Sequence, residues 1–244
     1  MIRSVPDVIR ACLFDLDGVL TKTAKLHSAA WKTMFDEYLQ RRSDPVPAPF
    51  VPFGPIDYQM YVDGKPRLDG VRSFLASRGI DLPEGTADDP EGTETVHGLG
   101  ARKNALVLRL IREQGVEVYE GSIRFVTAVR DAGLRLAVVT SSKNADEILA
   151  AAGIGSLFEV QVDGLVAERD RLRGKPAPDT FLAAARALDA SPARAAVFED
   201  AQAGVEAGRA GGFGWVVGVD RAGQAEALRQ RGADIVVQDL SELM

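Results

Sequence analysis

The feature that most constrains this chain is a rhythm that begins at residue 134. Short apolar runs there alternate with segments whose apolar residues recur every three or four positions. That alternation is the pattern of β/α units wound around a parallel sheet. Strands are expected at 11–16, 134–140, 195–198, 215–219 and 235–237, and helices at 145–152, 180–188, 203–210 and 225–231. Each helix carries its apolar residues on one side, as packing against a sheet requires. The expected fold class is therefore α/β, a doubly wound parallel sheet. Such sheets bind ligands beyond the carboxyl ends of their strands.

The region 24–118 breaks the rhythm. It opens with an amphipathic helix at 24–40, meets a Pro-rich passage at 43–55, and continues with helices at 68–78 and 102–114 and a polar loop at 83–92. An insertion placed directly after the first strand reads as a helical cap domain. The expected division is a core of residues 1–23 and 119–244 and a cap of residues 24–118. The Pro-rich passage could instead be a stiff surface excursion, which would leave the cap intact.

Composition narrows the function classes. A formal net charge of −6 argues against a generic nucleic-acid or anionic-membrane binder, while leaving room for a local basic pocket. No apolar stretch approaches the roughly 18 residues a spanning helix needs, and residues 1–10 hold no signal-peptide core. The single cysteine, Cys12, lies in an apolar run and reads as a buried hydrophobe in a reducing compartment. A cytoplasmic protein is expected.

Four stretches at expected strand ends carry chemistry. Asp15-Leu16-Asp17-Gly18 follows the first strand, with alternation placing both carboxylates on one side and Gly18 permitting a sharp turn. Paired carboxylates can hold a hard cation such as Mg²⁺, although Asp-x-Asp-Gly also occurs in ordinary turns and calcium loops. Thr140-Ser141-Ser142-Lys143-Asn144 ends a second strand with a hydroxyl and opens a helix, a place to hydrogen-bond phosphoryl oxygens. Lys175 sits in Gly174-Lys175-Pro176-Ala177-Pro178, where a solvated surface cation is the plain alternative. Glu199-Asp200 ends a third strand, where the acids could merely cap the next helix. Each plain reading is comfortable alone. All four together, in this order, are not.

As a set, these motifs resemble the haloacid dehalogenase superfamily of phosphotransferases, and within it the β-phosphoglucomutase-like branch, over residues 11–237. The resemblance implies Asp15 as nucleophile, Asp17 as general acid and base, Thr140 as the hydroxyl binding the transferring phosphoryl group, and Lys175 as its cationic stabiliser. It implies a Mg²⁺ cofactor held by Asp15, the backbone carbonyl of Asp17, Glu199 and Asp200. The roles agree with the chemistry. Phosphoryl transfer relies on positioning and charge stabilisation, and carboxylate repels phosphate until cations offset the charge.

In the cap, the resemblance extends to the hinge and first helix, where Thr23 and His27 match positions that couple cap closure to Asp17, and Trp31 matches a sugar-pocket position. Gly64-Lys65-Pro66-Arg67 resembles a cap loop whose arginine binds the non-reacting phosphate, and Lys103 matches a lysine facing the same pocket. Ser142 and Asn144 match substrate contacts beside the core phosphate site. Two departures stand out: Lys22 replaces a usual aspartate, and Thr140 stands where a related mutase has serine, a mild change that keeps the hydroxyl. The implied activity is a phosphomutase exchanging 1- and 6-phosphates of a hexose, with a sugar-phosphate phosphatase as the alternative. The implied partner is a small phosphorylated sugar, with no nucleic acid and no membrane, and the chain acting as a monomer.

Overall fold

The apolar run near the N-terminus forms strand β1 (Ala11–Phe14), all four of its residues buried. Consecutive buried residues, rather than alternation, mark a strand covered on both faces. Five more strands follow in this computed structural model, which describes residues 5–43 and 50–244. They are β2 (Arg135–Val139), β3 (Val160–Val162), β4 (Ala195–Glu199), β5 (Trp215–Val219) and β6 (Ile235–Val237). The sheet order is β3-β2-β1-β4-β5-β6 and every neighbouring pair is parallel. The order turns outward in both directions from β1, so the switch point lies where β1, β2 and β4 end. Phe14 aligns with Val138 on one side and Phe198 on the other. The residues that follow therefore emerge in one row at the carboxyl edge.

The described chain divides into two compact units. One comprises the residues up to Lys22, Gly64–Pro66 and Val116–Met244; the other comprises Thr23–Asp63 and Arg67–Gly115. Gly64–Pro66, inside the stretch expected as cap, groups with the sheet unit, where the Ser141 hydroxyl donates to the Gly64 carbonyl at 2.8 Å. The bare α-carbon of Gly174 makes room for the Pro66 ring, which a Cβ there would meet at 2.0 Å. Of the Pro-rich passage at 43–55, residues 44–49 lie outside the described residues.

The second unit is helical. It contains α1 (Ala24–Ser43), a short α2 (Pro55–Asp57) that runs into a π-helical turn at Tyr58–Val62, α3 (Arg67–Ser77) and α4 (Val96–Gln114). Its core is aromatic. Phe35 lies 5.3 Å from Trp31, 5.2 Å from Phe53 and 4.1 Å from Phe74, ring centre to ring centre. Helix α4 begins six residues before the helix expected at 102–114, because Thr95 caps it and accepts a hydrogen bond from the Gly98 N–H at 2.9 Å.

In the sheet unit, α5 (Glu120–Asp131), α6 (Ala145–Ala152), α7 (Gly164–Arg169), α8 (Asp179–Ala187), α9 (Gln202–Ala210) and α10 (Ala225–Gln230) cover the strands. Phe181, Ala184 and Val205 from α8 and α9 pack with Leu13, Val139 and Val197 on one face. Phe125 of α5 joins Phe14 and Phe198 on the other. No helix among the described residues is long and apolar enough to cross a membrane.

Candidate active site

The three strand ends converge on a buried set of charges. The Asp15 N–H continues the ladder past β1 by donating to the Phe198 carbonyl at 2.9 Å. Its carboxylate accepts from the Lys175 ammonium at 2.6 Å, and Lys175 also donates to Glu199 at 2.5 Å and to the Val139 carbonyl at 3.1 Å. All three ammonium donors are thereby used. Lys175 is 2% exposed and Glu199 is 0%, so the plain reading of Lys175 as a solvated cation does not hold. The other Glu199 oxygen accepts from the Ala201 N–H at 3.0 Å.

Two glycines make this packing possible. Gly18 has φ +95°, and a Cβ there would fall 1.8 Å from Oδ2 of Asp200. A Cβ on Gly204 would fall 1.8 Å from Oε1 of Glu199. Both acids are therefore seated against backbone that only glycine leaves open.

The electrostatics follow from burial. Burial pushes the Asp15 carboxyl well above the usual carboxylate range; Lys175 pulls it back, while Glu199 and Asp17 add to the rise. Burial draws the Lys175 ammonium toward neutrality, but Asp15 and Glu199 outweigh it and hold it above its ordinary value. Lys175 stays charged, and it faces more carboxylates than one cation can balance. Carboxylate oxygens of Asp15, Glu199 and Asp200 lie within 4.8 Å of one another. An all-oxygen donor set with surplus negative charge, buried and gathered at that spacing, fits a hard divalent cation such as Mg²⁺.

Asp17 stands apart from that set. It is partly exposed where Asp15 is buried, and it accepts a hydrogen bond from the Thr140 hydroxyl at 3.2 Å. Thr140 in turn accepts from the Ser142 N–H at 3.1 Å, and the Ser142 hydroxyl accepts from the Asn144 N–H at 3.1 Å. These short side-chain turns carry the chain from β2 into α6. Thr140, Ser142 and Asn144 thus line up after β2, and Thr140 reaches the turn after β1.

The expected cap residues gather within the helical unit. Lys103, 5% exposed, hydrogen-bonds to Nδ1 of His27 at 2.9 Å, and its ammonium lies 5.1 Å from the Trp31 ring centre. A Cβ on Gly70 would touch the Trp31 ring at 3.2 Å, and one on Gly100 would lie 3.6 Å from Nε of Arg67. His27, Trp31, Arg67 and Lys103 therefore share the junction of α1, α3 and α4. Arg67 is partly buried and opens α3 rather than standing in a free loop. Thr23 is buried, and its carbonyl accepts the His27 N–H. Lys22, the odd residue at the hinge, pairs with Glu117 at 2.6 Å on the surface.

The family model for haloacid dehalogenase-like hydrolases matches residues 9–212. The chain belongs to that family. Its relatives narrow the branch. A β-phosphoglucomutase of Mycobacterium tuberculosis is 53% identical over all of this chain and 94% of its own length. A β-phosphoglucomutase of Bacillus subtilis is 32% identical over 96% of this chain and 92% of its own. The crystal structure of β-phosphoglucomutase from Clostridium difficile matches the fold with a TM-score of 0.75 at 24% identity, covering 97% of this chain and 93% of that one. This haloacid dehalogenase-family member is an enzyme of the β-phosphoglucomutase-like branch, a phosphomutase that transfers phosphoryl groups.

Two residues near the site escaped the sequence reading. Arg221 and Gln224 follow β5 and hydrogen-bond to the backbone of Gly18 and Asp200. The rule that points to strand carboxyl ends applies equally to β5 and could have drawn attention to them.

Proposed function

We propose that this enzyme interconverts the 1- and 6-phosphates of a hexose through a phosphoaspartate on Asp15, with Mg²⁺ held by Asp15, the Asp17 carbonyl, Glu199 and Asp200. The observation that carries the chemistry is the buried contact of Asp15 with Lys175 and Glu199, at 2.6 and 2.5 Å from one ammonium. β-D-Glucose is the proposed hexose, because relatives aligned over 96% or more of the chain are named β-phosphoglucomutase. The enzyme is proposed to act as a monomer in the cytoplasm.

The reaction starts from the phosphorylated enzyme. The 6-hydroxyl of the hexose 1-phosphate attacks the phosphorus on Asp15 and gives its proton to Asp17, and the Asp15–phosphorus bond breaks to give the 1,6-bisphosphate. With the bisphosphate reversed, an Asp15 oxygen attacks the other phosphorus. The bond to the sugar oxygen breaks, and that oxygen takes its proton from Asp17. The split of environments suits these roles: Asp15 is enclosed with its countercharge, while Asp17 is open enough to exchange protons. Mg²⁺, when bound, offsets the repulsion between the Asp15 carboxylate and the phosphoryl oxygens. Lys175 offsets part of the charge of the nucleophile and Glu199. Thr140, whose single hydroxyl proton otherwise goes to Asp17, turns it to the phosphoryl group when that group is bound. Ser142 and Asn144 stand beside that phosphoryl site. For the non-reacting phosphate we assign Arg67 and Lys103, with Trp31 beside the sugar and Thr23 and His27 linking the hinge to Asp17. A phosphatase would use the same steps with water as the final acceptor.

The test is to trap the intermediate. Enzyme quenched after brief exposure to glucose 1,6-bisphosphate and Mg²⁺, then reduced with borohydride, should yield homoserine at position 15 in peptide mass spectra. Preincubation with EDTA should abolish it and added Mg²⁺ restore it. Labelling at another residue, or labelling indifferent to EDTA, would overturn the proposal.

A further inference from the structure

The loop between β5 and α10 touches the candidate site from behind at two points. Nε of Arg221 donates to the Gly18 carbonyl at 3.0 Å. Nε2 of Gln224 donates to the Asp200 carbonyl at 3.0 Å. Gly18 and Asp200 are themselves in intimate contact, since a Cβ on Gly18 would fall 1.8 Å from the Asp200 carboxylate. One loop thus holds both sides of this close approach.

Both side chains are held firmly. The Arg221 guanidinium lies 3.6 Å from the Tyr119 ring centre, donates to the Gln238 carbonyl at 2.5 Å and pairs with Asp239 at 3.4 Å. Gln224 accepts from Nε2 of Gln202 at 3.1 Å, and its own N–H donates to Asp220 at 2.8 Å. Each grips the backbone carbonyl of a residue at the proposed metal site, Gly18 beside Asp17 and Asp200 itself. An arginine stacked on an aromatic ring and bonded at several atoms is a rigid strut.

We propose that Arg221 and Gln224 are positioning residues for the divalent-metal site. They set the separation between the Asp17–Gly18 turn and the Asp200 carboxylate. The inference rests on the Mg²⁺ reading above. Loss of a partner that orients a metal ligand costs about 10–100-fold in metal affinity where it has been tested generally. The sign of the effect separates positioning from charge. Gln224→Glu keeps the size of the side chain and its acceptor for Gln202, but places an acceptor against the Asp200 carbonyl. Arg221→Met removes a cation. Both changes make the surroundings more negative, so the field alone would tighten cation binding.

Mn²⁺ binding to the full chain, followed by the electron paramagnetic resonance of free Mn²⁺, decides the matter, with Asp200→Ala measured alongside. Gln224→Glu and Arg221→Met should each weaken Mn²⁺ by about tenfold, with near-ultraviolet circular dichroism confirming a native fold. Unchanged or tighter binding in Gln224→Glu, while Asp200→Ala binds weakly, would overturn the positioning role and leave the metal reading standing. Unchanged binding in Asp200→Ala would instead remove the metal reading, and the positioning role with it. If Arg221→Met does not fold, the size-preserving Gln224→Glu decides alone.

Discussion

Asp15 and Asp17 are two residues apart and differ in almost everything that governs a carboxylate. Asp15 is buried, shares Lys175 with Glu199, and is pushed upward by its burial. Asp17 is partly exposed and bonded to the Thr140 hydroxyl. Asp17→Asn keeps the hydrogen bond to Thr140 and the backbone carbonyl but cannot carry a proton. Turnover should fall about 10²–10⁴-fold, the span of general acid/base loss, while rapid-quench labelling still detects some phosphoenzyme. A loss under about threefold would put proton transfer elsewhere. The acids at the strand ends were legible because each follows an apolar run. Lys175 was legible only through its company, since lysine in a loop is ordinarily solvated and nothing local announces burial. For Arg221 and Gln224 the sequence offered only their place after β5, because the backbone carbonyls they bond to are recorded by no sequence pattern.

At the scale of elements, α9 shows how a helix can be tuned to one side chain. Gly204 lies in its first turn, where alanine would ordinarily stabilise a helix by about 1 kcal/mol. Here the added Cβ would fall 1.8 Å from the Glu199 carboxylate, itself fully buried and bonded to Lys175. Gly204→Ala should therefore lower unfolding free energy by about 1–3 kcal/mol, the usual cost of overpacking, as read by denaturant titration. A gain in stability would mean that α9 does not press on Glu199. Strands β1, β2, β4, β5 and β6 were readable from apolar runs. β3 was not, because an edge strand of three residues, Val-Gln-Val, forms no run. Helix α5 carried a usable signal in Phe125, Val126 and Val129, which recur at helical spacing and are buried. The start of α4 was obscured by Gly98 and Gly100, which read as breakers but sit where neighbours approach too closely for a side chain.

Across the whole molecule, the parallel sheet and the helical insertion were legible because the rhythm of apolar runs stops and resumes. What the rhythm could not show is that Gly64–Pro66 groups with the sheet unit, since that depends on Ser141 and on the space above Gly174. Nor could it show that Lys103 of α4 meets His27 and Trp31 of α1, because the two helices lie far apart in the chain. Phosphomutase and phosphatase chemistry share every residue at the strand ends and differ only in which oxygen receives the phosphoryl group. A phosphorus NMR time course separates them: enzyme, Mg²⁺, β-D-glucose 1-phosphate and a trace of glucose 1,6-bisphosphate in one tube. The account predicts that the 1-phosphate resonance is replaced by that of glucose 6-phosphate, with inorganic phosphate a minor product. Accumulation of inorganic phosphate in place of the 6-phosphate would contradict it.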